Sequence, residues 1–301
     1  MKYGSFDGHP LLLDAYLPAS QGQDLPAMVL IHGGGWWSGN RTYPRSVAET
    51  LARKGWAAFS IGYTLDTASL SGYPVQVEEC QAALRWIERH AAEFHVDVHR
   101  LAVYGGSAGG YLASMLAVLG PGRPHYVPVA AAVSISGPDD PALLVKEYRE
   151  HYACRPTGCA ITYAALNHLS WFLGCPLDRC SAQLLREASP VYHVTRRTPP
   201  FFLYNSSEEI IPLSQATTMQ TALRREGVPV RLMVIAGTSH GPPSLLDVEK
   251  PIARFLAAYV PNAPAPVWPW AVGGIALAAL LGGTLYFVFV ARRRRPERRT
   301  I

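Results

Sequence analysis

The sequence predicts an α/β fold, a mostly parallel sheet with helices on both faces. Short apolar runs alternate along the chain with stretches whose apolar residues recur at helical spacing. Several runs are continuously apolar and rich in β-branched or aromatic residues, the pattern of strands buried on both faces. Two of them end in glycine-rich turns, the place where open parallel sheets build their sites.

In chain order, the strand candidates are residues 11–17, 28–32, 57–63, 101–104, 130–135, 201–204 and Val230–Ile235. Val77, Cys80, Leu84, Ile87 and Phe94 make one apolar stripe at helical spacing, with Pro74 near its start. Residues 107–119, 213–226 and 246–259 read as further helices, the second stopped by Gly227 and Pro229. Together these elements define a main domain at 1–260, long enough and apolar enough to bury a large core. Residues 139–189 interrupt the alternation and hold four of the five cysteines and several aromatics. That stretch is expected to be an insertion capping the site.

The chain changes character at its end. Residues 261–269, opening Pro261-Asn262-Ala263-Pro264, read as a stiff linker. Residues 270–290 contain no charged side chain, and a helix of that length spans about 31 Å, the thickness of a bilayer core. Trp268, Trp270 and Tyr286 lie near its ends, and Arg292-Arg293-Arg294-Arg295 follows. The expectation is a single transmembrane helix with the basic tail, 291–301, in the cytoplasm and the main domain outside. Gly274, Ala278 and Gly282 recur every four residues, so weak self-association through this helix is a possible partner contact. Residues 1–7 carry no apolar stretch of the kind an export signal needs. Either a start lies upstream, or the tail inserts unaided and the domain stays inside.

The formal charge of +5 sits entirely in the last ten residues, which hold six Arg and one Glu. No basic face is left for nucleic acid, and none is expected as a partner.

The chemistry concentrates in three places. Tyr104-Gly105-Gly106-Ser107-Ala108-Gly109-Gly110 follows an apolar run and opens a helix. A strand-to-helix turn that sharp needs bare positions two residues either side of the serine, and it lifts the hydroxyl to the carboxyl end of the sheet. Ser107 is therefore the candidate nucleophile. His32-Gly33-Gly34-Gly35-Trp36 follows another run, and three glycines in succession mark a place where bare backbone is required. The N–H groups of Gly34, Gly35 and Ala108 are the candidate donors to a developing oxyanion. His32 reads as a hydrogen bonder that shapes this loop. His240 stands just after the last strand, flanked by Gly237 and Gly241, where a general base comes in the chain order Ser, acid, His.

These motifs, with Thr238-Ser239-His240-Gly241, resemble the α/β-hydrolase superfamily. The likeness is nearest to its carboxylesterase and feruloyl-esterase-like group, related to hormone-sensitive lipase and kynurenine formamidase, and extends over about residues 11–260. The resemblance implies the α/β-hydrolase fold and a serine hydrolase with no metal and no cofactor, acting on a small-molecule ester. It equally allows amides or formamides, because His32-Gly33-Gly34-Gly35-Trp36 also fits the formamidase pattern. It places the acid in the loop after the strand at 201–204. Against the family's His-Gly-x-x-Asp-x-x-Val-Pro this chain has Tyr204-Asn205-Ser206-Ser207-Glu208-Glu209-Ile210-Ile211-Pro212. Counting back from Pro212 selects Glu208, with Glu209 the close rival and Asp139 or Asp140 more distant ones. A non-catalytic, membrane-displayed binding domain is the competing class, disfavoured because serine, histidine and the glycine loop are all retained.

Cys154, Cys159, Cys175 and Cys180 could form disulfides, hold a metal or stay as free thiols. An exported domain favours two bridges in one of three connectivities, and the spacings are wider than common zinc pairs. Cys80, on the apolar stripe, reads as a buried thiol.

Overall fold

The computed structural model describes residues 1–19, 22, 24–120, 126–147, 159–241 and 245–264. Its strands are β1 (Lys2–Phe6), β2 (His9–Tyr16), β3 (Leu25–Ile31), β4 (Ala57–Ile61), β5 (Val96–Gly106), β6 (Ala131–Ile135), β7 (Phe201–Ser206) and β8 (Val230–Ile235). They form one sheet in the order β1-β2-β4-β3-β5-β6-β7-β8. β1 and β2 are antiparallel to each other and β2 to β4, whereas every pair from β4 to β8 is parallel. The helices are α1 (Arg45–Arg53), α2 (Val75–Arg89), α3 (Ala108–Val118), α4 (Pro141–Glu147), α5 (Cys159–Leu173), α6 (Ala182–Glu187), α7 (Leu213–Arg225) and α8 (Leu245–Tyr259).

Alternate side chains of one strand feed two cores, as the pleat requires. From β3, Val29 and Ile31 enter the core shared with Val77 and Leu84 of α2, Leu112 of α3 and Met219 of α7. Met28 and Leu30 enter the other, with Ala48 of α1 and Phe255 and Leu256 of α8. This is the expected α/β fold with helices on both faces. All of α3 is buried, so it carries no polar face; it is the helix at the centre of one layer.

Three elements differ from expectation. β1 was not anticipated because Lys2-Tyr3-Gly4-Ser5-Phe6 alternates instead of running apolar; its signal is the Asp7-Gly8 turn, both residues at positive φ (44° and 77°), a two-residue hairpin connection. α1 buries only Ala48, too narrow a stripe to stand out in the sequence. The stripe assigned to α2 overruns the helix, which ends at Arg89. Phe94 lies beyond it and is buried by ring contact with Phe59 at 5.3 Å.

The expected membrane span at 270–290, its self-association face and the tail at 291–301 lie outside the described residues. Among the described residues no helix is long and apolar enough to cross a membrane. Cys175 and Cys180 are joined by a disulfide and Cys80 is a buried free thiol. Cys154 and the side chain of Cys159 lie outside the described residues, so the second expected bridge is not described.

Candidate active site

Strand register assembles the site. Ile31 of β3 pairs with Gly105 of β5, which sets the glycine loop beside the serine turn. Gly106 pairs with Ile135, which sets Ser136 next to Ser107. Ser206 at the end of β7 pairs with Ile235 at the end of β8, which brings the acid loop beside the histidine loop.

Ser107 lies between β5 and α3 at φ 55°, ψ −124°, a conformation that non-glycine residues seldom adopt. Its N–H donates to Ile135 O at 2.8 Å and its own carbonyl accepts from Tyr111 N at 3.0 Å, which holds the turn from both sides. The flanking glycines are sterically required. A Cβ on Gly105 would lie 2.0 Å from Gly109 O, and one on Gly109 would lie 2.2 Å from Ile31 O.

The glycine loop packs directly on this turn. A Cβ on Gly33 would lie 2.7 Å from Gly106 O and 3.4 Å from Ser107 Cβ. Gly34, at φ 117°, leaves no room for a side chain because Ser38 O is 2.1 Å from its missing Cβ. The carbonyl of Gly34 accepts from Ser38 N at 3.0 Å and Ser38 Oγ at 2.8 Å. The N–H groups of Gly34 and Gly35 donate to no described group and are free to bind an anion. His32 behaves as expected: it is buried, Nδ1 lies 2.8 Å from Gly33 O, and its ring stacks on Tyr63 at 4.2 Å. Burial lowers its pKa to about 4, so the ring is neutral at ordinary pH.

The carboxylate beside His240 is not the one the count from Pro212 selects. Glu209, and not Glu208, meets His240: Glu209 Oε2 lies 2.5 Å from His240 Nδ1. Glu209 Oε1 accepts from Ser136 Oγ at 2.6 Å and from Ser206 N at 2.8 Å. Ser206 Oγ in turn donates to Ser239 O at 2.7 Å, tying the histidine loop to the acid loop. Asn205, where the family pattern has glycine, bridges that loop internally: its Nδ2 donates to Ser206 O at 3.0 Å and Ile211 O at 2.9 Å. Glu208 is exposed, and among the described residues its backbone N–H donates to Gly237 O at 2.9 Å. The count from Pro212 sees only the length of the loop and not the groups that face it. Both candidates are glutamates, and the one that is buried among the converging groups Ser136, Ser206 and His240 is Glu209. Asp139 is buried away from His240, with burial and the neighbouring Asp140 pushing its carboxyl well above the usual range.

Ser107, Ala108, Gly34, Gly35 and His240 all line one cavity of about 610 Å³. Its remaining wall is mostly apolar and includes Ile135, Leu144, Ile210 and Ile211. Leu144 of α4 and His168 and Leu169 of α5 come from the 139–189 stretch, so that insertion contributes to the cavity. Ser136, Ser206 and His168 carried no sequence signal. Each is an isolated polar residue whose role depends on strands or helices distant in the chain. Among the described residues no His, Cys, Asp and Glu cluster could hold a metal.

The sequence model of the BD-FAE family matches residues 13–223. The probable carboxylic ester hydrolase LipM of Mycobacterium tuberculosis is 30% identical over 210 residues, 66% of this chain and 45% of LipM. Esterase LipC of the same organism is 29% identical over 78% of this chain and 58% of LipC. The chain thus spans about half the length of these relatives. The apo form of Thermogutta terrifontis esterase 2 superposes with a TM-score of 0.65 over 87% of this chain and 96% of that one, at 21% identity, a likeness of fold.

Proposed function

The chain belongs to the BD-FAE family, and on that premise we propose that it is a serine hydrolase cleaving carboxylic esters through an acyl-Ser107 intermediate. The observation that carries the reading is the Glu209–His240 contact at 2.5 Å, made at Nδ1, beside the cavity that Ser107 lines. With Nδ1 turned to the carboxylate, Nε2 is the nitrogen left to take the Ser107 proton. Ser107 Oγ attacks the ester carbon, and the carbonyl oxygen becomes negative against the N–H groups of Gly34, Gly35 and Ala108. As the tetrahedral species collapses, His240 returns the proton to the departing alcohol. Water then enters, His240 takes its proton, the acid leaves and Ser107 is restored. Glu209 holds the imidazole in the required tautomer. The names of LipM and LipC, both ester hydrolases, support esters as the substrate class.

The test is a fluorophosphonate probe with intact-mass detection, joined to a panel of p-nitrophenyl esters and N-formyl anilines. One adduct on the wild type, none on Ser107→Ala, and ester turnover above formamide turnover are expected. A folded wild type that takes no adduct makes the chain a binding domain, and faster formamide cleavage moves it to the formamidase reading. The composition of residues 270–290 and the arginines after them support a membrane anchor with the catalytic domain on the opposite side from the tail.

A further inference from the structure

The loop that carries the proposed oxyanion donors is held in an unfavourable backbone conformation. Gly34, Gly35 and Trp36 stand in succession at φ 117°, 60° and 70°. Glycine takes such angles freely, but a bulky residue like tryptophan is an outlier there. A conformation of this kind persists only where its surroundings impose it. Part of the restraint comes from the main body of the fold. The Trp36 carbonyl accepts from Asp66 N at 3.1 Å and from Gln76 Nε2 of α2 at 3.0 Å.

The insertion supplies a second restraint. His168 and Phe172 are four residues apart and so share one face of α5. Phe172 stacks on Trp36, ring centroids 4.4 Å apart and planes 18° from parallel. His168 stacks on Trp37 at 4.3 Å and 8°. Two consecutive loop residues are therefore each met flat by a ring from one helix. The Trp37 indole also folds back over the loop, since a Cβ on Gly35 would lie 3.1 Å from its Cδ1 and Nε1. The end of α5 that carries these rings is tied down in turn. Phe172 O accepts from Tyr73 N at 2.8 Å and from Ser71 Oγ at 2.9 Å, and the Cys175–Cys180 bridge follows just beyond.

We propose that α5 clamps the oxyanion loop, and that His168 is a positioning residue for the reaction, acting through its stack on Trp37. This rests on the acyl-Ser107 reading. The N–H groups of Gly34 and Gly35 must point at the oxygen as it becomes negative, and a displacement of about 1 Å in a group of this kind costs about 10²-fold in rate. Rings stacked on the two residues that follow the donors resist that displacement. The flat face of the imidazole does the holding, so the role depends on neither ring nitrogen. Phe172 holds Trp36 in the same way, but it is wholly buried in the main core, and its loss is a loss to the whole fold. His168 is only half-buried and is the end of the clamp that can be altered alone.

The test measures kcat and KM on p-nitrophenyl butyrate, with inhibition by butaneboronic acid, a mimic of the tetrahedral species. His168→Ala is expected to lower kcat about tenfold and to weaken the boronic acid by the same factor, with KM within about twofold of wild type. His168→Phe, which keeps a flat ring on Trp37, should recover most of that loss. Trp37→Ala removes the stack from its other side, at an exposed position, and should reproduce the loss even where His168→Ala does not fold. Because the stack needs both partners, adding His168→Ala to Trp37→Ala should cost nothing further. The proposal is overturned by equal losses in His168→Phe and His168→Ala, by a second full loss in the double variant, or by a change confined to KM. It is overturned as well if His168→Ala and Trp37→Ala both keep the kcat and boronic acid affinity of the wild type. A wild type that turns over no ester and takes no fluorophosphonate overturns the ester-hydrolase reading itself, and this inference with it.

Discussion

Replacing Glu209 by glutamine tests the site at its most specific point. The carboxylate is 2% exposed and receives Ser136 Oγ and Ser206 N on one oxygen, with His240 on the other. In Glu209→Gln only one of the two ends can accept hydrogen bonds. The two donors at Ser136 and Ser206 claim the amide oxygen, so the amide nitrogen faces His240. That nitrogen donates, and His240 Nδ1 must then accept. The imidazole proton moves to Nε2, the atom that has to receive the Ser107 proton, and the base is disabled with almost no change of shape. Where a triad acid is exchanged for its amide, kcat falls about 10⁴-fold, so a loss of that order is expected here. It corresponds to about 5 kcal/mol of transition-state stabilisation. Glu208→Gln, at an exposed side chain, should remain within about twofold of the wild type, as surface changes usually do. The assay is kcat on p-nitrophenyl acetate, with thermal melting to verify that both variants fold. A Glu209→Gln enzyme within tenfold of wild type, or a larger loss in Glu208→Gln, would refute the assignment.

Other expectations follow from packing and burial. Gly109→Ala forces a Cβ to within 2.2 Å of Ile31 O, a backbone atom, and should destabilise by about 3 kcal/mol, a Tm drop of roughly 10 °C; an unchanged melting curve would contradict the packing described. Asp66 is buried with both carboxyl oxygens unpartnered among the described residues, and burial raises its pKa to about 7. The folded chain therefore keeps a proton that the unfolded chain releases above about pH 4, so this site's contribution is full below that pH and is lost as pH rises through about 7. Asp66→Asn should flatten the fall in urea midpoint across that window, and an identical slope in both proteins would rule the effect out. Arg100 is buried and donates through Nη2 to Asn262 O at 2.5 Å. A chain ending at residue 264 should consequently melt higher than one ending at 260, by about 1–3 kcal/mol, and equal stabilities would show that this contact is dispensable.

The parts of this molecule that could be read from its sequence are those where backbone geometry leaves a compositional mark. Ser107 and the glycine loop were legible because a positive-φ turn and two close backbone approaches admit few residues other than glycine around them. The strands at 28–32, 101–104 and 130–135 were legible because parallel strands buried on both faces read as continuous apolar runs. β1 was not, since an edge hairpin alternates and only its Asp7-Gly8 turn marks it. The place of His240, the proposed base, was legible from its position after the last strand, because chain order in this fold limits where such a residue enters.

The acid followed a different rule, and the reason is physical. Glu208 and Glu209 are chemically identical and adjacent, so no local pattern ranks them. What separates them is the set of donors that converge on one carboxylate: Ser136 from the end of β6, Ser206 from the end of β7, and His240 after β8. Those three groups are brought together by the register of β5, β6, β7 and β8, and a sequence carries that register only implicitly. A count from Pro212 measures the length of the loop, whereas selection is made by the partners across it. Ser136 illustrates the same point from the other side. Alone it is one serine after one strand, yet at 2.6 Å from Glu209 and one strand from Ser107 it helps decide which glutamate is turned inward. Ser136→Ala should accordingly weaken the hold on Glu209 and lower kcat on p-nitrophenyl acetate, whereas Glu208→Gln should not, a separation that loop spacing alone would not produce.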